Sequence, residues 1–276
     1  RGTLLSSRPS AFVCPRREPG MPSDEYNERI AAFDSTLSGC FELSQRCAGI
    51  PAPTSAHFYA SVLFTSLCSR GTSFGILAPG TSFSRKAFDH WDYASLAVLA
   101  RSILEIRLSF FYLCVQECTP IEWEFRWNLF NLHDCTARIH LFQEIDASSG
   151  DLPRFQATAD EIRARLTINE FFLSFSASEQ RRLLHGKHAY PVPLEVIAEQ
   201  AGVAIKEFRW LYKFLSSHVH GLPMSFYRMG EPDGRGRGVY CEVEDNYCSL
   251  CVSFILTLLV ASRDEMQKLF APHIQG

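Results

Sequence analysis

Long apolar runs are missing from this sequence of 276 residues. The most apolar stretch, Tyr247 to Ala261, is 15 residues long, whereas a membrane-spanning helix needs about 20. No secretory hydrophobic segment follows the first residues either. The sequence therefore predicts a buried final helix and no membrane partner, and we expect a cytoplasmic protein.

An excess of charge of one sign is also missing. The chain has 27 Lys and Arg against 30 Asp and Glu, a net charge of −3. This balance provides no general attraction to nucleic acid or to anionic lipid. With 46% hydrophobic and 21% charged residues, the composition excludes a disordered chain and is typical of a globular domain.

The cysteines do not form a complete metal-binding pattern. Cys248 and Cys251 have the spacing of a zinc half-site, but they lie inside an apolar helical stretch, and structural zinc normally needs four ligands. Most of the other cysteines also stand among apolar residues, in a chain much longer than the usual disulfide scaffold. We therefore expect reduced core cysteines, with no metal site and no cofactor.

No alternating strand pattern of useful length and no internal repeat occurs. Helical periodicity and capping residues predict an all-α fold, a helical bundle of about seven to nine helices. Residues 1–20, rich in Arg, Ser and Pro, are predicted to be a disordered extension, and residues 21–276 a single all-helical domain. The predicted helices run from Asp24 to Cys47, Thr54 to Arg70 with Gly71 as the stop, Phe88 to Glu117, Pro120 to Ile145, Asp151 to Phe175, Ser178 to Leu184, Leu194 to Gln200, Lys206 to Val219 and Glu242 to Phe270.

Two charged residues stand out on the third predicted helix. Arg101 and Glu105 are four residues apart and share a helix face that also carries apolar residues. Charged side chains are seldom buried unless they are paired, and paired buried charges are common in functional sites. The pattern is compatible with a structural ion pair that braces the bundle and with a binding or catalytic group.

The segment Tyr212 to Gly221 provides a second polar line. Tyr212, Ser216 and His220 recur at steps of four beside an apolar helix stripe. A hydroxyl one turn from an imidazole can be a nucleophile and its base, or a pair of donors for an anion. His220 can also be a simple helix cap. His218, on the other flank, is predicted to be structural.

These residues carry a family resemblance. The R-S-x-x-E pattern at Arg101 to Glu105, and the Y-x-x-L-S-x-x-V-H pattern at Tyr212 to His220, resemble a bacterial family of domains of unknown function, family fifty-six seventy-seven. Arg126 falls where that family has an Arg on an intervening helix. The resemblance, over about residues 88–229, implies that Arg101, Glu105, Ser216 and His220 are functional. It implies binding roles for Tyr212 and Arg126 and no particular reaction.

Two weaker patterns indicate other functions. Arg126 and His133 have the spacing found in HEPN ribonucleases, many of which act in phage defence, and Arg181 and His188 repeat it by chance. Ile197 to Leu211 follows the spacing of a helix-turn-helix, with Gly202 at the turn. Glu195 and Glu199 beside that pattern would repel phosphates, so a nucleic-acid partner is possible but not favoured.

The sequence thus predicts an all-α domain with a composite Arg, Glu, Ser and His centre. Its first functional hypothesis is a hydrolase of a phosphate-containing or acyl substrate, with His220 as base and Arg101 holding an anion. Its second is a non-catalytic module that binds an unknown ligand or protein partner in the same cleft. Whether Arg101, Glu105, Ser216 and His220 meet in three dimensions decides if either hypothesis has a physical basis.

Overall fold

A computed structural model describes residues 21–145, 150–230 and 235–274. Within these ranges the chain forms ten α-helices and no strand, which confirms the predicted all-α bundle. The extension predicted for residues 1–20 lies outside the described residues. The helices are α1 Asp24–Cys47, α2 Ser55–Leu77, α3 Tyr93–Phe110, α4 Pro120–Ile145, α5 Asp151–Thr167, α6 Glu170–Leu173, α7 Ala177–Leu184, α8 Leu194–Gln200, α9 Ile205–Val219 and α10 Glu242–Phe270.

The larger core lies between α1, α2, α3, α9 and α10. The first and last helices pack side by side, and a polar contact ties their amino ends together. Ser23, the cap of α1, donates through its backbone N–H and its hydroxyl to the carboxylate of Asp245, both at 2.8 Å. The same hydroxyl accepts from the backbone N–H of Tyr26 at 3.1 Å, so one side chain caps α1 and connects it to α10.

The predicted end of α2 is wrong, because the helix continues through Gly71 and Gly75 to Leu77. Both glycines are buried against α1. A Cβ added to Gly71 would lie 2.8 Å from Leu37 Cδ1, and one added to Gly75 would lie 3.1 Å from Phe33 Cε1. The absent side chains therefore allow close packing of two helices, and they do not stop the helix.

The third helix is shorter than predicted at both ends. It begins at Tyr93, because the Asp92 side chain accepts from the backbone N–H of Ser95 at 3.1 Å and caps the first turn. At its other end the backbone widens into a π-helix, Phe111–Val115. Tryptophan and arginine side chains from α4 hydrogen-bond to carbonyl oxygens of this segment, which satisfies groups that a regular helix would pair internally.

A smaller apolar cluster joins α4, α5, α6 and α7. The prediction of one helix from Asp151 to Phe175 is wrong, because α5 ends at Thr167. Asn169 then caps α6 by accepting from the backbone N–H of Phe172 at 3.0 Å, and it donates to the carbonyl of Ile121 at 3.0 Å. A short polar side chain thus breaks the helix and fixes the break against α4.

The last helix, α10, is 29 residues long. By length and composition it could span a membrane, since its apolar stretch has a mean hydropathy of 1.5. Half of this apolar stretch is buried inside the fold. Its buried residues include Cys248, Cys251 and Ile255. The core helix of a soluble protein can have the same length and composition, so these alone are weak support for a membrane span.

Candidate functional site

The two polar lines face each other across one cleft. Arg101 and Glu105 come from α3, whereas Tyr212, Ser216 and His220 come from α9 and its end. The two helices pack through apolar side chains, which on α9 include the buried Phe208, Leu211 and Leu215. The cleft has a volume of about 620 Å³, and its lining residues are Val98, Arg101, Ser102, Glu105, Tyr212, Ser216, Val219 and His220.

Arg101 is held by three neighbours. Its Nε donates to Ser216 Oγ at 3.3 Å, and its guanidinium carbon lies 3.8 Å from the centre of the Tyr212 ring. A terminal nitrogen forms an ion pair with Glu105, one helical turn away. The Arg101 side chain is 13% exposed and that of Glu105 is 37% exposed. The guanidinium is therefore fixed at the wall of the cleft, and the carboxylate extends toward solvent.

The α3 side of the cleft is also supported from behind. The Ser109 hydroxyl donates to the backbone carbonyl of Glu105 at 3.0 Å and lies 2.8 Å from the hydroxyl of Tyr190. Burial raises the pKa of the Tyr190 hydroxyl to about 12, so this ring stays neutral near pH 7. Ser109 thus connects the backbone that carries Glu105 to Tyr190, a partly buried residue outside α3.

His220 lies at the carboxyl end of α9, as predicted. Its backbone N–H donates to the carbonyl of Ser216 at 3.3 Å and closes the last turn. Gly221 follows with a φ of +57°, a left-handed conformation that favours glycine and ends the helix. The His220 side chain is exposed at the edge of the cleft.

A family model described as "Family of unknown function (DUF5677)" matches residues 57–237 of the chain. The chain belongs to this family. The matched range includes both α3 and α9, and thus every residue of the cleft, whereas α1 and α10 lie outside it. No curated protein and no solved structure matches the chain.

Arg126, which the family resemblance proposed as a binding residue, lies outside the cleft. Its side chain is buried and donates to the carbonyl of Tyr112 at 2.7 Å and to the carboxylate of Glu122 at 2.5 and 3.1 Å. Its guanidinium also stacks over the Tyr112 ring at 4.3 Å. These contacts hold the π-helical segment in place, and a binding role for Arg126 stays a prediction.

The two residues of the HEPN-like pair, Arg126 and His133, contact different groups. While Arg126 is engaged in this way, His133 Nδ1 lies 3.0 Å from the carbonyl oxygen of Gly186. The chance repeat of the pattern, Arg181 and His188, is exposed. The ribonuclease hypothesis gains no geometric support from these contacts.

The helix pair α8 and α9 has the turn expected of a helix-turn-helix, with Gly202 at a φ of +84°. Its second helix, however, uses its apolar face to pack on α3. Arg209, one of its basic residues, donates to Glu195 at 2.8 and 3.1 Å. DNA binding stays a prediction that is not favoured, because this arginine is already neutralised.

Sequence reasoning missed the most buried charged pair. Arg107 is 2% exposed, and its terminal nitrogen lies 2.7 Å from Glu265 Oε1 on α10. Burial lowers the pKa of Arg107 and raises the pKa of Glu265, and the attraction between them opposes both shifts. An arginine inside an apolar helix stripe was the available signal, but its partner is 158 residues away in sequence.

The nine cysteines among the described residues are free thiols, and seven of them are buried. On α10, burial raises the pKa of the Cys251 thiol to about 12 and raises that of Cys248 as well. Thiolates bind metals and thiols do so poorly. The described parts of the chain contain no cluster of three His, Cys, Asp or Glu side chains with the geometry of a metal site.

Proposed function

We propose that this chain binds an anionic small molecule in the cleft between α3 and α9 and hydrolyses a phosphate-ester or acyl bond in it. The observation that supports the proposal is the position of Arg101. Its guanidinium is fixed between Ser216, Tyr212 and Glu105, and His220 lines the same cleft. A prearranged cation beside a potential base is the minimum that such a hydrolysis needs.

Arg101 is the group that recognises the anion. A guanidinium has five N–H donors, and the contacts with Ser216 and Glu105 occupy only some of them. The remaining donors can bind a phosphate or carboxylate oxygen, while the exposed Val98 and Val219 contact an apolar part of the ligand. Glu105 orients the guanidinium and reduces its net charge, so it favours ligands of low charge.

His220 is the base that activates water. It accepts a proton as the water oxygen attacks the phosphorus or acyl carbon. The bond to the leaving group then breaks, and the leaving group departs with the bonding electrons and takes up the proton that His220 had accepted. Ser216 is a poor nucleophile in this arrangement, because its hydroxyl oxygen already accepts a hydrogen bond from Arg101. We therefore assign Ser216 to the positioning of Arg101, and direct attack to water.

Hydrolysis is tested with the purified protein and three chromogenic esters: p-nitrophenyl phosphate, bis(p-nitrophenyl) phosphate and p-nitrophenyl acetate. We expect His220→Ala to lower kcat for at least one ester by about 100-fold or more, which is the usual contribution of a general base. His188→Ala replaces another exposed histidine and should leave the rate unchanged. Equal rates for wild type and His220→Ala would contradict catalysis by His220.

A non-catalytic binding module is the second candidate function. It is favoured by the engagement of both Arg101 and Ser216 with protein groups, a feature of a rigid recognition surface. In this case inorganic phosphate or acetate should raise the melting temperature of the wild type, without turnover of any ester. Arg101→Gln should abolish that rise. If neither turnover nor stabilisation occurs, both functions are wrong.

If the Arg101–Glu105 ion pair has a purely structural role, the loss of one partner should strongly lower the free energy of unfolding. A fully buried pair that loses one partner costs about 3–5 kcal/mol. The exposure of Glu105 screens this pair, so Glu105→Gln should cost about 1 kcal/mol or less. Urea unfolding measures the difference, and a loss in the higher range would show that the pair is a brace rather than part of a ligand site.

A further inference from the structure

A second, more enclosed cavity lies on the other side of α9. Tyr212 and Ser216 line the cleft, whereas Phe214 and His218 point away from it, since residues two apart on a helix face different sides. The cavity has a volume of about 120 Å³. Its lining residues come from α3, α9, α10 and the segment between α9 and α10, and they are Tyr93, Phe214, His218, Met224, Arg235, Val243, Glu244 and Tyr247.

His218 is the group that needs a partner in this cavity. It is 7% exposed, and both ring nitrogens are fully buried without a hydrogen bond to any of the described residues. Buried polar atoms in proteins are nearly always hydrogen-bonded. Burial also lowers the pKa of His218, so the ring is neutral near pH 7. A neutral imidazole offers one donor and one acceptor.

The walls of the cavity are aromatic and flat. The rings of Tyr93 and Tyr247 stack with centroids 4.8 Å apart, and those of Phe214 and Tyr247 with centroids 5.6 Å apart. Tyr93 and Phe214 each meet the His218 ring edge to face, at 5.2 and 4.9 Å. A planar molecule can stack against these rings. An apolar chain in the same space would place its apolar atoms against polar atoms, which costs free energy.

The lining of the cavity includes one acidic and one basic side chain. Glu244 is fully buried and accepts a hydrogen bond from the backbone N–H of Gly236 at 2.5 Å. Arg235 contributes one positive charge to the same lining. With one acidic, one basic and one neutral titratable group besides the tyrosines, the cavity favours a neutral ligand over an ion.

We propose that this cavity binds a small, planar, neutral molecule with neighbouring hydrogen-bond donor and acceptor groups, such as an amide, and that His218 is its main polar partner. The volume agrees with this size class, because a cavity of about 150 Å³ holds one benzene molecule. No residue lines both the cleft and this cavity, so the two sites are separate. The proposed hydrolysis uses only the cleft.

The test uses acetamide as the probe and benzene as an apolar probe of similar size. Nuclear magnetic resonance of the full chain, with nitrogen-15 in the histidine rings, follows His218 and His220 in the same sample. We expect acetamide to move the His218 ring signals in a saturable manner and to leave His220 unchanged. Benzene should bind more weakly, because it satisfies neither ring nitrogen.

His218→Phe keeps the ring shape and removes both nitrogens, so acetamide should bind about tenfold more weakly or worse, in line with the loss of a hydrogen bond. His220→Ala is the matched control and should bind acetamide as the wild type does. Should His218→Phe fail to fold, the wild-type ring signals still decide the matter. Unchanged His218 signals, or tighter binding of benzene than of acetamide, would overturn the proposal.

Discussion

At the scale of single residues, the buried pair of Arg107 and Glu265 should contribute more to stability than the exposed pairs. Glu265→Leu leaves the Arg107 guanidinium buried without its partner, and we expect a loss of about 3–5 kcal/mol in the free energy of unfolding. Asp264→Asn is the control, since its ion pair with Arg263 is exposed and should be worth at most about 1 kcal/mol. Similar losses in both variants, measured by urea unfolding, would refute this ranking.

The protonation of His218 should make stability depend on pH. In the unfolded chain a histidine has a pKa of about 6.5, whereas burial lowers the pKa of folded His218 and Asp92 opposes this only in part. Unfolding then takes up a proton, so stability falls as the pH drops below about 6.5 and levels off below the folded pKa. The other titratable side chains that line the same cavity are those of Tyr93, Arg235, Glu244 and Tyr247.

The measurement is the difference in unfolding free energy between wild type and His218→Phe, taken at several pH values between about 7 and 5. Other groups titrate in both proteins and cancel in this difference. The stability of the wild type relative to His218→Phe should decrease as the pH falls. A constant difference would mean that His218 has an ordinary pKa.

The polar residues of the cleft could be predicted from the sequence. The surroundings of buried polar residues such as His218 could not. Steps of four placed Tyr212, Ser216 and His220 on one helix edge, which is a local property. The direction in which His218 points is local as well, but its lack of a partner depends on α3 and α10. Partners far apart in sequence leave no periodic signal.

At the scale of helices, two glycines offer opposite outcomes for the same substitution. Gly71→Ala places a Cβ 2.8 Å from Leu37, and overpacking of about 1–3 kcal/mol should exceed the helix-propensity gain of about 1 kcal/mol. Gly39→Ala on α1 meets only the Arg263 side chain at 3.9 Å and should stabilise. Thermal unfolding of both variants gives the signs, and equal signs would contradict the packing argument.

Helical periodicity predicted which segments are helical, and the errors are in where helices end and in one helix that is divided into α5 and α6. Ser23 and Pro120 marked the starts of α1 and α4 correctly, since a cap and a first-turn proline act through the adjacent backbone. Gly71 was misinterpreted, because a helix stop and a close helix contact both call for glycine. Asn169 was overlooked, although the hydrogen bond by which it caps α6, from the backbone N–H of Phe172, is local.

At the scale of the whole molecule, the two apolar clusters allow a test of the prediction that residues 21–276 form one domain. Leu96 is buried in the larger cluster and Leu132 in the smaller one. Replacing either with Ala should cost about 2–5 kcal/mol. In a single domain both variants shift one common unfolding transition. A second transition that only Leu132→Ala displaces would show that α4 to α7 unfold independently.

The pairing of α1 with α10 governs when the protein can fold during its synthesis. The contact between Ser23 and Asp245 spans 222 residues of sequence, so the partner of the first helix leaves the ribosome long after that helix does. The cluster of α4 to α7 needs no later segment and can form early. Until α10 has been synthesised, it cannot cover the apolar sides of α1 and α2 on which it packs. We expect chaperones that bind apolar segments to occupy this region of the nascent chain.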